Sequence, residues 1–182
     1  SESSALLRWR ANVRDRGCAP TDSGEGGARG PAADDADSES DVRLAHLLNG
    51  MRSRPKVFVY MSTTGVYGDR RGGWVTETSR LAAQSLEGAR RVGAERDWLE
   101  VGRGMGLTVT VFRLPGIYGP GRSAFDRLRE GRARRIAAPG QVFSRIHVDD
   151  LAAGLAASIA RPRAGGIYNL CDDEPAANAD VI

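Results

Sequence analysis

Apolar residues in this chain follow two patterns, and both begin at about Val42. Continuous apolar runs at residues 57–61, 107–114 and 166–170 stop at glycine, proline or polar clusters, which is typical of buried strands. Helical spacing alternates with these runs. It predicts helices ending at Asn49-Gly50, over 81–104, from Ser123 to Glu130, from Asp149 or Asp150 to Ala160, and from Asn178, with a brief strand at 142–143. Strands alternating with helices predict an α/β fold with a parallel sheet.

The amino-terminal segment lacks either pattern. Residues 15–41 are rich in Gly, Ala, Ser, Pro and Asp, and they offer too little apolar surface to offset the entropy of ordering. We therefore predict that residues 1–41 are disordered and that residues 42–182 form the folded unit.

Composition narrows the possible functions only a little. The net charge is +3, Lys56 is the single lysine, and the arginines are interspersed with acidic residues and lack interleaved aromatics, so a nucleic-acid-binding function is disfavoured. Cys18 and Cys171 match no disulfide or metal-binding spacing, and no signal peptide or membrane span is visible. These features predict a reducing compartment, the cytoplasm or an organelle stroma, with no bound metal.

Hydroxyl side chains cluster where the first strand ends. Ser62, Thr63 and Thr64 follow the apolar run and precede Gly65-Val-Tyr-Gly68. Ligands bind at the carboxyl ends of strands in open α/β sheets, so the cluster is a candidate site. A turn rich in Ser and Thr explains the same residues equally well, and Tyr67 is interpreted as a packing residue.

Three segments in order carry a family resemblance: 59–68 (VYMSTTGVYG), 113–122 (RLPGIYGPGR) and 145–150 (RIHVDD). Together with Gly166-Ile-Tyr-Asn-Leu170 and Glu174-Pro175, they resemble the NAD-dependent epimerase/dehydratase family, the extended short-chain dehydrogenases/reductases. The resemblance implies a Rossmann-like parallel sheet that binds NAD or NADP and acts on a small-molecule or nucleotide-sugar substrate.

The chain departs from the family pattern at the cofactor pyrophosphate site. The family opens with a strand and a Gly-rich turn that holds the pyrophosphate. Gly24-Glu-Gly-Gly27 is the nearest cluster here, but no apolar strand precedes it. We therefore expect residues 42–182 to be the carboxyl half of the fold, lacking the first βαβ unit and truncated at both ends. We also expect this polypeptide by itself to bind NAD or NADP weakly or not at all.

A second departure concerns the catalytic pair. The family uses Tyr-x-x-x-Lys on the long helix, with the lysine lowering the pKa of the tyrosine. With Glu95 as the acidic residue that follows this pair, the matching positions hold Glu87 and Arg91. Glu87 is then a candidate proton acceptor and Arg91 a candidate ligand for the ribose or phosphate, although an i,i+4 ion pair on a solvated face is the more ordinary explanation.

The resemblance also assigns roles to other positions. Thr63 matches the hydroxyl that orients the substrate oxygen, and Ser62 lies at the same cofactor-facing strand end. Pro115, Gly116 and Ile117 match the turn whose backbone lies against the nicotinamide. Arg122 and Arg145 are candidates for binding a substrate phosphate or carboxylate, while His147 is expected to be structural, beside a helix cap.

Two functional hypotheses remain open. The first is an atypical NAD(P)-dependent oxidoreductase, epimerase or dehydratase. The second is a non-catalytic NAD(P)-binding or interaction protein, or an inactive fragment, that has kept the fold without the Tyr/Lys chemistry. Nothing in the sequence fixes the oligomeric state.

Overall fold

The structure of the protein is a computed structural model that describes residues 46–53, 55–133, 142–177 and 180. The predicted disordered segment 1–41 and the predicted helix start at Asn178 lie outside the described residues. Residues 46–50 are helical. The elements that follow are β1 (Val57–Thr63), a 3-10 turn (Thr64–Tyr67), α1 (Leu86–Met105), β2 (Thr108–Leu114), β3 (Gly116–Tyr118), α2 (Ala124–Arg129), β4 (Arg145–His147), α3 (Val148–Ala160) and β5 (Gly166–Asn169).

The main sheet is parallel, with strand order β1-β2-β5. The central strand β2 is buried along nearly its whole length, because it has a strand on each side and covered faces. A second, two-stranded parallel sheet joins β3 to β4. The predicted α/β class with a parallel sheet is therefore confirmed.

Successive residues of each strand point to opposite faces of the main sheet, so its apolar side chains pack into two separate layers. On one face, Phe58 of β1 stacks on Trp98 of α1 with ring centroids 3.7 Å apart. On the other, Phe112 and Leu114 of β2 pack with Ile146 of β4, Leu151 of α3 and Leu170. The main sheet thus lies between α1 and a layer formed by β4 and α3.

Glycines on α1 allow this helix to approach the sheet closely. A Cβ at Gly102 would lie 2.8 Å from Cγ2 of Val109, and one at Gly88 would lie 3.2 Å from the carbonyl oxygen of Gly65. From the sequence, these glycines weaken the helix prediction, because glycine has a low helix propensity. In the fold they lie at the contacts that bring α1 against the 3-10 turn and β2.

Several predicted boundaries were wrong. The long helix starts at Leu86 rather than at 81, because the Ser85 side chain caps it by accepting from the Gly88 amide. The helix α3 is capped by His147 rather than by Asp149 or Asp150.

The sheet assignments also needed correction near the third segment of the family resemblance. Strands β3 and β4 were not predicted, because each has only three residues and their pairing joins distant parts of the chain. The strand predicted at 142–143 is a single bridge between Phe143 and Ala176.

Candidate functional site

Three polar residues lie abreast at the carboxyl ends of the main strands. The register pairs Ser62 of β1 with Arg113 of β2, and Arg113 with Asn169 of β5. Residues paired in this way point to the same face of a sheet, which here is the face covered by α1. The next position, Thr63, points to the opposite face.

Arg113 forms a buried ion pair with Glu95 of α1. Nη2 of Arg113 lies 2.7 Å from Oε2 of Glu95, Nε lies 3.1 Å from the same oxygen, and both side chains are only 3% exposed. Burial by itself lowers the pKa of Arg113, but the hydrogen bonds to Glu95 and Tyr67 outweigh it and raise the pKa above its ordinary value. The Arg113 guanidinium therefore stays charged inside the protein.

The ion pair continues into a network of buried and partly buried hydrogen bonds. Nη1 of Arg113 donates to the Tyr67 hydroxyl at 2.9 Å and to the backbone carbonyl of Glu77 at 3.1 Å. The Tyr67 hydroxyl donates to Oδ1 of Asn169 at 2.7 Å. Since Tyr67 is 2% exposed, it is a packing residue as interpreted, but its hydroxyl is also a junction of this network.

The sequence interpretation missed this network, although a signal for it was present. Arg113 stands in an otherwise apolar strand run, and Glu95 shares a helical face with Trp98, three residues later. A lone charge on each of two buried surfaces predicts an ion pair, because an unpaired buried charge is costly.

Ser62 belongs to this network rather than to the open strand end. Its hydroxyl is buried and donates to Oε1 of Glu95. The side chain is therefore committed to Glu95, and only the backbone of Ser62 is left for the predicted contact with a cofactor.

Thr63 lies at the top of β1 and begins the 3-10 turn. Its Oγ1 accepts a hydrogen bond from the Gly65 amide at 3.1 Å, and the residue is half-buried. Because the hydroxyl acts as an acceptor in this contact, its own hydrogen is available to a ligand oxygen. The cap also fixes the orientation of the side chain.

Arg91 reaches from α1 to the same end of β1. Its Nη1 donates to the Met61 carbonyl at 2.9 Å and lies 3.4 Å from the Tyr60 hydroxyl. Glu87, one turn earlier, is exposed, and within the described residues it forms no ion pair with Arg91. The ion pair that the spacing suggested is therefore absent, since the arginine turns to the strand instead.

The remaining predicted site residues meet in a separate open cleft of about 1090 Å³. Gly116, Ile117, Arg122 and Arg145 all line it, and Pro115 directly precedes Gly116. The predicted nicotinamide turn is in part strand β3, paired to β4. The lining of this cleft does not include Thr63, Glu87 or Arg91, so the structure divides the predicted residues into two groups.

The cleft also holds aromatic and titratable groups. His147 lines it and caps α3, its Nδ1 accepting from the Asp149 amide at 3.3 Å. This agrees with the structural role expected for His147. The Tyr118 ring packs edge-on against His147, and a hydrogen bond to Asp172 raises the pKa of Tyr118.

The sequence model of the NAD dependent epimerase/dehydratase family matches residues 32–171. The chain belongs to this family. It is 32% identical over 132 residues to Protein YeeZ of Escherichia coli (strain K12), a match that covers 72% of this chain and 43% of YeeZ.

Solved structures agree with this assignment. A functionally unknown conserved protein from Silicibacter pomeroyi is 45% identical, with a TM-score of 0.64 over 85% of this chain and 52% of that one. The dTDP-glucose 4,6-dehydratase from Bacillus anthracis, solved in complex with NAD, is 22% identical and shows a shared fold, with a TM-score of 0.64 over 81% of this chain and 50% of that one. The chain thus spans about half the length of these relatives.

Within the described part of the chain, no helix is both long and apolar enough to span a bilayer.

Proposed function

We propose that this chain contributes the carboxyl-terminal part of an NAD(P)-dependent oxidoreductase, epimerase or dehydratase whose catalytic pair is atypical. The observation that carries the proposal is the position of Arg91. This residue stands where the family has lysine, and its guanidinium is held against the Met61 carbonyl, two residues before Thr63. A fixed cation therefore lies at the strand end that bears the oriented hydroxyl.

The residues present fit the nicotinamide and ribose half of the cofactor. Thr63 has an unused hydroxyl hydrogen, Arg91 supplies donors, and Gly116 leaves its backbone exposed. The described residues hold no Gly-rich turn between a strand and a helix that could receive the pyrophosphate. When bound, the nicotinamide would supply hydride-transfer chemistry.

Each residue then has a role limited by its chemistry. Thr63 orients the substrate oxygen by donating to it. Arginine side chains donate hydrogen bonds but do not transfer protons in proteins, so Arg91 can hold ribose hydroxyls or stabilise a developing negative charge. Proton transfer is therefore assigned to Glu87, whose exposed carboxylate lies one helical turn from Arg91.

Binding of the substrate's anionic group is assigned to the cleft, apart from the oxygen that Thr63 orients. Arg122 and Arg145 both line it, and Arg145 is held in place by donating to the Ala176 carbonyl at 3.3 Å. Guanidinium groups suit a phosphate or carboxylate, so a small anionic substrate or a nucleotide sugar is the proposed ligand. Both NAD and NADP remain candidates for the cofactor.

A second candidate function is NAD(P) binding without catalysis. The observation in its favour is the exposure of Glu87 and its lack of an ion pair with Arg91 in the described part of the chain. An acid/base group without a fixed partner has no fixed orientation, which efficient general catalysis needs.

Substitution of Thr63 in the full-length gene product tests the proposal. Thr63→Val keeps the β-branched shape and removes the hydroxyl, and losing one oriented bond in a transition state should cost roughly 2–4 kcal/mol, a hundredfold or more in turnover. Thr108→Val, at the first residue of β2 and so at the opposite end of the sheet, is the matched control and should turn over normally.

The assay follows NAD(P)H absorbance over a panel of nucleotide sugars and small carbonyl compounds, with product analysis for redox-neutral reactions. Glu87→Gln tests the proton acceptor separately. Normal turnover by Thr63→Val would exclude the strand-end site. Cofactor binding without turnover of any substrate would favour the non-catalytic alternative.

A further inference from the structure

An irregular loop, residues 69–84, joins the 3-10 turn to α1, and its two ends are tied together. The Ala82 amide donates to the Val66 carbonyl at 2.9 Å. Gly68 has a φ of +72°, and a Cβ there would lie 2.0 Å from the Ala82 carbonyl oxygen, so only glycine fits. The base of the loop is therefore closed beside the end of β1.

Glu77 joins the middle of this loop to the main sheet through two contacts. The backbone carbonyl of Glu77 accepts a hydrogen bond from Nη1 of Arg113 at 3.1 Å. Its side-chain carboxylate accepts a hydrogen bond from the backbone amide of Asn169 at 2.8 Å. Among the described residues, Glu77 makes the side-chain and backbone hydrogen bonds that link residues 69–81 to β2 and β5.

The residues around Glu77 do not anchor the loop. Thr76 and Thr78 are exposed, and Trp74 is 85% exposed. The Thr76 amide and the Ser79 hydroxyl bond to each other at 2.9 Å, which forms a local turn that presents Glu77 to the sheet.

The partners of Glu77 are rigid. Arg113 is held by the buried Glu95 carboxylate, and Asn169 is held by the Tyr67 hydroxyl. Both partners stand in the row of residues that runs across the carboxyl ends of β1, β2 and β5. The loop is thus attached at the sheet edge where the proposed site lies.

We infer that Glu77 is a positioning residue that holds the 69–84 loop as a fixed wall of the strand-end site. The consequence for substrate binding rests on the proposed function, whereas the attachment of the loop does not. A loosened loop should raise KM, since the wall must be ordered at each binding event, and should leave kcat nearly unchanged.

Limited trypsin digestion tests the attachment, because the loop carries its own cleavage sites at Arg70, Arg71 and Arg80. Glu77→Ala removes the acceptor of the Asn169 amide and should speed cleavage at these sites about tenfold, the effect of losing a hydrogen bond to a charged group. Glu77→Gln keeps a carbonyl oxygen that can accept the same bond, and it should restore protection. Glu100→Ala, at an exposed position of α1, is the control and should digest like the unmodified protein.

Three results would overturn the inference. Unchanged cleavage of Glu77→Ala would show that Glu77 does not hold the loop, and an equally labile Glu77→Gln would show that the acceptor is irrelevant. Equal acceleration at Arg103, on α1 outside the loop, would show that Glu77 supports the whole fold instead. If no variant of the full-length gene product turns over a substrate, the proposed function fails, while the digestion still decides the role of Glu77.

Discussion

The buried pair of Glu95 and Arg113 allows a quantitative test of what holds the strand ends together. Each side chain is 3% exposed, and the carboxylate and guanidinium meet at 2.7–3.2 Å through three hydrogen bonds. Removing one partner leaves the other charge buried and uncompensated, which costs about 3–5 kcal/mol. We expect this loss in the free energy of unfolding for Glu95→Gln, for Glu95→Met and for Arg113→Met, each measured by denaturant titration at neutral pH.

The double variant Glu95→Met/Arg113→Met distinguishes a buried charge from a general packing loss. With both charges gone, no uncompensated charge remains, so the double variant should be no less stable than either single one, and the coupling energy should be about as large as one single loss. The Ser62 hydroxyl loses its acceptor and the Tyr67 hydroxyl loses one donor while still donating to Asn169, which leaves a residual cost of about 1–3 kcal/mol.

A surface variant calibrates this cycle. Glu100→Gln on the exposed side of α1 should change the free energy of unfolding by less than about 0.5 kcal/mol. Additive losses of the two single variants in the double variant, or a loss for Glu95→Gln as small as that for Glu100→Gln, would show that Glu95 and Arg113 do not stabilise each other as a buried ion pair.

Three further predictions concern local structure. Gly102→Ala should destabilise the protein by about 1–3 kcal/mol, because the new Cβ meets Val109. Gly104→Ala, where the added Cβ meets open space, should stabilise the protein by up to about 1 kcal/mol. Thermal or denaturant unfolding compares the two variants, and equal effects would contradict the packing of α1 against the sheet. The Ser123 hydroxyl and backbone amide both donate to the Asp126 carboxylate and lower its pKa. This contribution to stability is therefore present at neutral pH and is lost as the pH falls through the folded-state pKa of Asp126. NMR titration should show a higher Asp126 pKa in Ser123→Ala, and an unchanged pKa would exclude the capping box. Burial raises the pKa of the Cys171 thiol, and Asp172, Asp173 and Glu77 add to the effect. In a Cys18→Ser background, iodoacetamide should therefore modify Cys171 more slowly at neutral pH than it modifies free cysteine. Equal rates would contradict this environment of Cys171.

Local patterns in the sequence were sufficient to predict most of the main elements. The apolar runs at β1, β2 and β5 predict buried strands because each covers a complete strand, and Ser123 predicts the start of α2 because its cap is made within three residues. The family assignment likewise followed from three short segments in order. In each case the signal and the structure it specifies lie close together in the chain.

Only the tertiary structure decided how the strand-end site is built. The network joins Ser62, Glu95 and Arg113, which are separated by 33 and 18 residues, and no local pattern reports which buried charges meet. The same limit applies to Arg91, where the sequence favoured an ion pair with Glu87 and the fold offers the Met61 carbonyl instead. Propensity and spacing act over a few residues, whereas the partner of a buried or half-buried polar group is set by which strand and helix the fold packs against it.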